Sequence, residues 1–261
     1  MKKFCLTTTL LLMLFNAFSQ DLSLFQKRWL VQGGDTLPYR ILLPQNYDTT
    51  KNYPLIFFLH GAGERGSDNE KQLIHGAKMF LKDSIRKNYP AIVVFPQCNS
   101  NSYWSNVLRV YDDSSRIFHF VKDGPPTRPM EMLSQLVHLI IKDYPVMNKQ
   151  VYVGGLSMGG MGTFELVYRN PKLFAAAFPI CGGADPETAK KISQVNWWIF
   201  HGAKDNVVYP YYSEVVVKAL QKEKANVKFT LYPEANHNSW DQAFAEPALF
   251  KWLFMQRNAS K

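Results

Sequence analysis

Apolar runs recur along the chain and are separated by segments in which apolar and polar residues mix. Most of the runs are nearly continuous, which is typical of strands covered on both faces of a mainly parallel sheet. They occupy residues 54–60, 91–95, 151–153, 174–181, 197–201 and 227–232. Strand-like and helix-like segments alternate, so the sequence predicts the α/β fold class, with a mostly parallel central sheet and helices on both faces.

Five intervening segments have the apolar spacing of amphipathic helices. They are residues 68–82, 127–144, 159–170, 210–224 and 240–255. The second is the clearest, because Thr127 can cap its N-terminus, Pro129 suits a first turn, and Leu133, Leu136 and Ile140 share one face.

Two regions depart from this alternation. Residues 28–32 and 39–43, joined by a Gly-Gly-Asp turn at 33–35, predict an antiparallel hairpin at the edge of the sheet. Residues 99–126 are rich in Asn, Ser, Asp, Gly and Pro and show no regular pattern. We expect this long stretch to be a loop without regular structure, and such loops are usually either functional or disordered.

The N-terminus has the pattern of a secretory signal peptide. Lys2 and Lys3 precede an apolar run at 10–15, and a small-x-small cleavage pattern ends at Ser19. We therefore expect residues 1–19 to be removed and the protein to be secreted or periplasmic. A transmembrane anchor is the weaker alternative, because the apolar run is shorter than the roughly 20 residues needed to span a bilayer.

The remaining residues, 20–261, are expected to form one globular domain without a membrane span. The 261-residue chain has a net charge of +9, but its Lys and Arg residues are scattered, so no nucleic-acid partner is expected. Neither a CxxC pair nor metal-ligand spacing of His75, His119 and His138 is present in the sequence. We accordingly expect neither a metal nor a cofactor.

One serine lies among several glycines where a strand pattern changes to a helix pattern. The sequence GLSMG at 155–159 matches GxSxG, in which small residues allow a sharp strand-to-helix turn that exposes the serine hydroxyl. Ser157 is therefore the candidate nucleophile. Since glycine-flanked serines also occur in ordinary turns, the match needs support from other residues.

Two downstream residues supply the partners that a nucleophilic serine requires. Asp205 is the only acidic residue between Glu187 and Glu214, and His237 is the only histidine after Asp205. Each follows a predicted strand, in the order serine, aspartate, histidine. In this arrangement His237 accepts the Ser157 proton and Asp205 fixes and stabilises the imidazole.

The remaining site residues are inferred from their positions relative to this triad. The oxyanion hole is expected to use the backbone N–H groups of Ala62 and Met158, with Gly61 allowing close approach of the substrate. Trp104 and Trp240 are expected to line the cleft, with packing in the core as the alternative for each. For the neighbours Glu64 and Arg65, an ion pair that stabilises the oxyanion loop is expected, with contact to the substrate as the alternative.

At these residues the chain resembles the α/β-hydrolases, and specifically secreted bacterial esterases of the phospholipase/carboxylesterase and polyhydroxybutyrate-depolymerase-like group. That group includes feruloyl and acetylxylan esterases. The resemblance rests on HGAGERGSDN (60–69), FPQCNSNSYW (95–104), GGLSMGGMGTF (154–164), HGAKDNVV (201–208) and HNSW (237–240). This chain departs from such relatives in having Asn148 before the nucleophile strand and a longer segment at 105–126.

The resemblance implies a serine esterase that acts on carboxylic esters, with carbohydrate-linked feruloyl or acetyl esters as the leading substrates. An ester derived from a plant polysaccharide is then the expected partner. Short-chain carboxylesterase, phospholipase and small-peptide serine peptidase are the enzymatic alternatives. A carbohydrate-binding module that retains the hydrolase fold is the non-enzymatic alternative.

The resemblance also implies a strand order, and through it the distance between two cysteines. The strand ending near Cys98 should lie two positions from the nucleophile strand, and the strand ending at Cys181 should be its neighbour on the other side. Three strand spacings amount to about 14 Å, against a Cα separation of about 7 Å at most for a disulfide. No bridge between these cysteines is therefore expected.

Overall fold

The computed structural model describes residues 21–111 and 116–258; the expected signal peptide, 1–19, lies outside them. The strands of the described part are β1 (Gln26–Gln32), β2 (Asp35–Leu42), β3 (Tyr53–Leu59), β4 (Ile92–Pro96), β5 (Val107–Tyr111), β6 (Arg116–Phe120), β7 (Val146–Leu156), β8 (Ala176–Ile180), β9 (Asn196–Gly202) and β10 (Val227–Tyr232). Its helices are α1 (Ala77–Phe80), α2 (Asp83–Asn88), α3 (Arg128–Asp143), α4 (Met158–Arg169), α5 (Ala189–Ile192), α6 (Tyr211–Lys222), α7 (Trp240–Ala245) and α8 (Leu249–Met255).

Eight strands form the central sheet, in the order β1-β2-β4-β3-β7-β8-β9-β10. Neighbouring strands from β4 to β10 are parallel, whereas β2 runs antiparallel to both β1 and β4. Strands β3, β4 and β8 are buried along their whole length, as their continuous apolar sequences predict. The mainly parallel sheet and the antiparallel hairpin at its edge are both confirmed.

Helices pack on both faces of this sheet, as expected. One apolar cluster joins the sheet to α3, α4 and α6 through residues such as Leu133, Phe164 and Val216. The second cluster joins the opposite face to α1 and α8 through residues such as Phe80 and Leu253. The sheet is thus the middle layer of a three-layer domain.

Three of the five predicted helices are confirmed. They correspond to α3, α4 and α6, and their ends lie within two residues of the predicted ones. At the start of α3, the Thr127 hydroxyl accepts a hydrogen bond from the Met130 N–H at 3.3 Å, so the predicted cap is present.

The helix predicted for residues 68–82 is wrong. This segment contains a 3-10 turn, Lys71–Leu73, followed only by the short helix α1. The Asp68 carboxylate accepts the N–H groups of Glu70 and Lys71, which favours a turn over a helix. Gly76 then has a φ of 86° and packs so tightly that a Cβ would lie 2.9 Å from the Phe58 ring.

The helix predicted for residues 240–255 is divided in two. Helix α7 ends before Glu246, whose ψ of 110° is extended, and α8 begins at Leu249. Pro247 explains the break, because its ring disfavours a helical conformation in the residue before it.

The expectation that residues 99–126 lack regular structure is also wrong. Strands β5 and β6 form a separate antiparallel two-stranded sheet, hereafter the rim hairpin, with Val107 opposite Phe120 and Tyr111 opposite Arg116. The pattern is obscured because one face carries exposed apolar side chains, including Leu108 and Val110. Its strands therefore show neither continuous burial nor clean apolar–polar alternation.

The strand order confirms the placement of the two cysteines. Strand β4 lies two positions from β7, and β8 is next to β7 on the other side. Cys98 and Cys181 are both buried free thiols. In the described ranges, 21–111 and 116–258, no helix is both long and apolar enough to cross a membrane.

Candidate active site

The turn around Ser157 has a strained backbone conformation. Strand β7 ends at Leu156 and α4 begins at Met158, so the serine lies between them with a φ of 54° and a ψ of −117°. Its N–H donates to the Ile180 carbonyl at 2.9 Å, and its carbonyl accepts the Met161 N–H at 3.0 Å. Hydrogen bonds to β8 and α4 thus maintain a conformation that residues other than glycine rarely adopt.

Neighbouring glycines are required because this turn packs directly against other backbone. A Cβ on Gly155 would lie 2.4 Å from the Gly159 carbonyl oxygen, and one on Gly159 would lie 2.0 Å from the Leu59 carbonyl oxygen. No side chain fits at either position. The glycines therefore allow α4 to begin directly against the end of β3, which directs the Ser157 side chain outward.

The structure brings the three candidate triad residues together. His237 Nε2 lies 2.9 Å from Ser157 Oγ, and His237 Nδ1 lies 2.7 Å from Asp205 Oδ2. Asp205 follows β9 and His237 follows β10, and both strands lie on the same side of β7 in the parallel sheet. Since the carboxyl ends of parallel strands share one edge, residues far apart in sequence meet there.

Asp205 is buried but remains ionised. Burial alone would raise the pKa of its carboxyl group, yet hydrogen bonds from His201 and His237 and from backbone hold that pKa well below its usual range. The N–H groups of Val207 and Val208 donate to Oδ1 at 2.9 and 3.0 Å, and His201 Nε2 lies 3.2 Å from Oδ2. The carboxylate is therefore fixed in position beside the His237 ring.

Two further histidines support the strand ends. His201 is fully buried, with its ring nitrogens 2.8 Å from Ser213 Oγ and from the Val208 carbonyl oxygen. His60 Nδ1 lies 2.6 Å from the Gly61 carbonyl oxygen, and His60 Nε2 accepts the Cys98 N–H at 3.0 Å. Burial lowers the pKa of His60 to about 4, so this ring is neutral near pH 7.

The candidate oxyanion donors lie at the starts of two helical segments next to Ser157. Met158 is the first residue of α4, and Ala62 is the first residue of a 3-10 turn, Ala62–Glu64. N–H groups at such positions lack intrahelical acceptors and can face a ligand. Gly61 precedes Ala62, and a Cβ there would lie 2.9 Å from Leu156 and 3.7 Å from the Ser157 Cβ.

Ser157 and His237 open into a cleft with a volume of about 230 Å³. Ala62, Met158 and Gly61 line it as well. One group of lining residues is mainly apolar and consists of Phe118, Met158, Met161, Val207 and Val208. A second group consists of Glu64, His75 and Trp240, and the mouth is lined by Tyr103, Tyr111 and Arg116.

Trp240 lines the cleft as expected, with its ring centroid 5.4 Å from that of His237. Trp104 does not line it, so that prediction is wrong. Its side chain is completely buried and donates from Nε1 to the His60 carbonyl at 3.2 Å. Trp104 packs tightly against Gly162 of α4, where an added Cβ would lie only 2.4 Å from the Trp104 Cβ. This packing stabilises the base of the site.

Sequence reasoning missed several lining residues for identifiable reasons. Tyr111, Arg116 and Phe118 belong to the rim hairpin, which was not predicted. Met161 lies one turn after Met158 on α4, and that helical spacing could have identified it.

The expected ion pair between Glu64 and Arg65 is not formed. Arg65 instead donates to the carbonyls of Ala62, Ser100 and Ser102 at 3.0 to 3.2 Å. The buried Glu64 carboxylate faces the cleft, where its Oε1 lies 3.7 Å from His75 Nε2.

Within the described part of the chain, the side chains close enough to share a metal ion are Cys181, Asp205 and His237, whose ligand atoms lie within 4.8 Å of one another. Burial raises the pKa of the Cys181 thiol far above its usual range, so the thiol keeps its proton. A metal would also have to replace the His237–Asp205 hydrogen bond. The arrangement suits proton transfer better than metal binding.

Known proteins are similar to this chain in sequence and in fold. A 32% identical segment of 83 residues, 31% of this chain, occurs in a bifunctional acetylxylan esterase/xylanase of Neocallimastix patriciarum and covers 12% of that protein. A thermostable esterase of known structure is 32% identical with a TM-score of 0.81, over 90% of this chain and 64% of its own. The chain thus spans less than two thirds of either relative.

A ferulic acid esterase of Anaeromyces mucronatus shares the fold with a TM-score of 0.63 at 15% identity, over 89% of this chain and 90% of its own. The sequence model of the phospholipase/carboxylesterase family matches residues 47–250. The resemblance seen in the motifs is confirmed, and this chain belongs to the phospholipase/carboxylesterase family of α/β-hydrolases.

Proposed function

We propose that this protein is a secreted serine esterase that cleaves carbohydrate-linked feruloyl or acetyl esters through an acyl-enzyme. One observation carries the proposal: Ser157 Oγ, His237 Nε2 and Asp205 form a hydrogen-bonded chain, with distances of 2.9 and 2.7 Å, at the base of an open cleft. A binding module would not need this geometry, which costs backbone strain at Ser157.

In the first half-reaction, Ser157 Oγ attacks the ester carbonyl carbon while its proton passes to His237 Nε2. The ionised Asp205 stabilises the imidazolium that forms. The carbonyl oxygen becomes an oxyanion, which accepts hydrogen bonds from the N–H groups of Ala62 and Met158. When this intermediate collapses, the alcohol leaves with the proton from His237 and the acyl group stays on Ser157.

The second half-reaction uses the same groups with water in place of the alcohol. His237 takes a proton from water as the water oxygen bonds to the acyl carbon, and Ala62 and Met158 again stabilise the oxyanion. Collapse breaks the bond to Ser157 Oγ, which recovers its proton from His237. The carboxylic acid is then released.

The size of the cleft supports compact acyl groups. Its volume of about 230 Å³ is below the roughly 300–1,000 Å³ typical of small-molecule pockets, and its apolar group of residues can take one aromatic or short acyl chain. This favours feruloyl or acetyl over long fatty acyl groups, and hence an esterase over a phospholipase. The acetylxylan esterase activity named for one relative favours the same choice.

The test is hydrolysis of a matched panel by the protein lacking residues 1–19 and by its Ser157→Ala variant. The panel consists of p-nitrophenyl acetate and octanoate, methyl ferulate, acetylated xylan and a peptide anilide. We expect ester turnover that falls by about 10⁶ in the variant. Ser193→Ala, which alters a serine outside the cleft, is the control and should retain full turnover.

Each other result contradicts a defined part of the proposal. Cleavage of the anilide alone would identify a peptidase, and preference for octanoate would identify a lipase-like enzyme. Glycan binding without turnover, unchanged in Ser157→Ala, would identify a binding module. Secretion is tested separately by the N-terminal sequence of the exported protein, which should begin near Gln20.

A further inference from the structure

We propose that Glu64, His75 and Trp240 form a subsite for the alcohol part of the ester and that it selects alcohols with neighbouring hydroxyl groups, such as a sugar ring. This inference rests on the proposed esterase function. It assigns the two sides of the scissile bond to different groups of residues in the cleft.

The Glu64 carboxylate lies close to the reacting atoms. The position that a Cβ on Gly61 would occupy is 3.0 Å from Glu64 Oε2 and 3.7 Å from the Ser157 Cβ. Glu64 is only 9% exposed, and it lines the cleft rather than the outer surface. A ligand bound at Ser157 is therefore within reach of this carboxylate.

The hydrogen-bonding capacity of this carboxylate is not used up by its neighbours. Arg65 is bonded to backbone carbonyls, and the ionic partner of Glu64 in the described residues is His75. The 3.7 Å between His75 Nε2 and Glu64 Oε1 exceeds hydrogen-bond length. A buried carboxylate is costly unless hydrogen-bond donors surround it, so a ligand with hydroxyl groups stabilises it.

Trp240 packs against both His75 and His237, the residue that protonates the leaving alcohol. Its ring centroid is 5.2 Å from that of His75 and 5.4 Å from that of His237. Because His237 delivers its proton to the leaving oxygen, the alcohol must lie beside His237 and hence beside Trp240. The apolar group that contains Phe118, Met161 and Val208 remains for the acyl part.

The chemistry of the three side chains fits a polyhydroxylated ring. Hydroxyl groups can donate to the carboxylate and exchange hydrogen bonds with the imidazole, while the apolar C–H face of a sugar ring packs on the indole. An alcohol without hydroxyl groups would desolvate the Glu64 carboxylate further without giving it a hydrogen-bond donor. Sites of this kind discriminate strongly against ligands that lack the hydrogen-bonding group.

The experiment compares acetate esters that differ only in the alcohol: a monoacetate of methyl β-xyloside, cyclohexyl acetate and acetylcholine. The variants are Glu64→Gln, Glu64→Ala and His75→Phe, the last of which keeps an aromatic ring against Trp240. We expect kcat/KM for the xyloside ester to fall at least tenfold further in Glu64→Ala than that for cyclohexyl acetate, mainly through KM. His75→Phe should shift the ratio in the same direction.

Glu223→Gln, at the end of α6 and outside the cleft, is the matched control and should change none of the three rates. Equal losses on xyloside and cyclohexyl esters in every Glu64 and His75 variant would overturn the subsite while leaving the esterase intact. A selective loss on acetylcholine alone would also overturn it, since the carboxylate would then recognise a cation. If the unaltered protein cleaves no ester, the proposed function itself fails.

Discussion

The base of the cleft and the rim hairpin are built in opposite ways. At the base, the ends of β3, β7, β9 and β10 hold buried polar groups such as Asp205 and His60, whose hydrogen-bond partners lie within the core. The rim hairpin exposes most of its residues and contributes Tyr111 and Arg116 to the cleft mouth. We therefore expect the base to determine whether catalysis occurs and the rim to affect which substrate fits.

The largest effect is expected from removing one charge at the base. Asp205→Asn should lower kcat for p-nitrophenyl acetate by about 10⁴, because an amide favours the wrong tautomer of His237 and cannot stabilise its cation. Circular dichroism and the thermal midpoint will show whether the fold is retained. A loss of less than about tenfold in a folded variant would mean that Asp205 does not orient His237.

An intermediate effect is expected from the buried, neutral His60. Its pKa is lowered to about 4 by burial and, to a smaller extent, by Arg65, although the Gly61 carbonyl and Asp68 act in the opposite direction. As pH falls below about 6.5, the unfolded chain therefore takes up the proton first. The stabilising contribution is complete above that value and decreases towards pH 4.

Because the pKa of His60 is lowered in the folded protein, the free energy of unfolding should fall by about 2 kcal/mol between pH 7.5 and pH 5. Urea unfolding at the two pH values measures the change, and His60→Gln should remove most of it. His119→Gln, which alters an exposed histidine of the rim hairpin, is the control and should preserve it. A pH dependence that persists in His60→Gln would assign the acid sensitivity to another group.

The smallest effect is expected at the rim. Tyr111 is 63% exposed and lines the cleft mouth, so Tyr111→Ala should raise KM for methyl ferulate about threefold to tenfold. The free energy of unfolding should change by less than about 0.5 kcal/mol. Tyr211, equally exposed but outside the cleft, provides the control Tyr211→Ala.

Unchanged kinetics in Tyr111→Ala would show that the rim hairpin does not take part in substrate binding. A large loss of kcat with unchanged KM would instead mean that the rim takes part in the chemical step. Either result would weaken the division between base and rim.

Elements whose conformation depends on nearby residues were predictable from the sequence. The strand runs, the cap of α3 and the turn at Ser157 each rest on patterns within a few residues, and all three are present in the structure. The helix prediction for residues 68–82 failed because their apolar spacing suits a helix, whereas the side-chain hydrogen bonds of Asp68 and the packing of Gly76 favour turns.

Side-chain direction was the least predictable property. Trp104 and Trp240 were equivalent candidates for the cleft, yet one is completely buried and the other lines it. The difference arises from α4, which packs over Trp104 at Gly162. No pattern within a few residues of either tryptophan contains that contact.

The amino-acid sequence was sufficient to predict the parallel sheet, the strained turn at Ser157 and the chain order of Ser157, Asp205 and His237, because burial patterns and backbone geometry act over short distances. The folded structure was needed to show that Glu64 faces the cleft instead of pairing with Arg65, and that the rim hairpin lines the mouth. Those outcomes depend on contacts between segments far apart in the chain. Long-range packing therefore determines the surroundings of the triad, to which we assign the selection of the substrate.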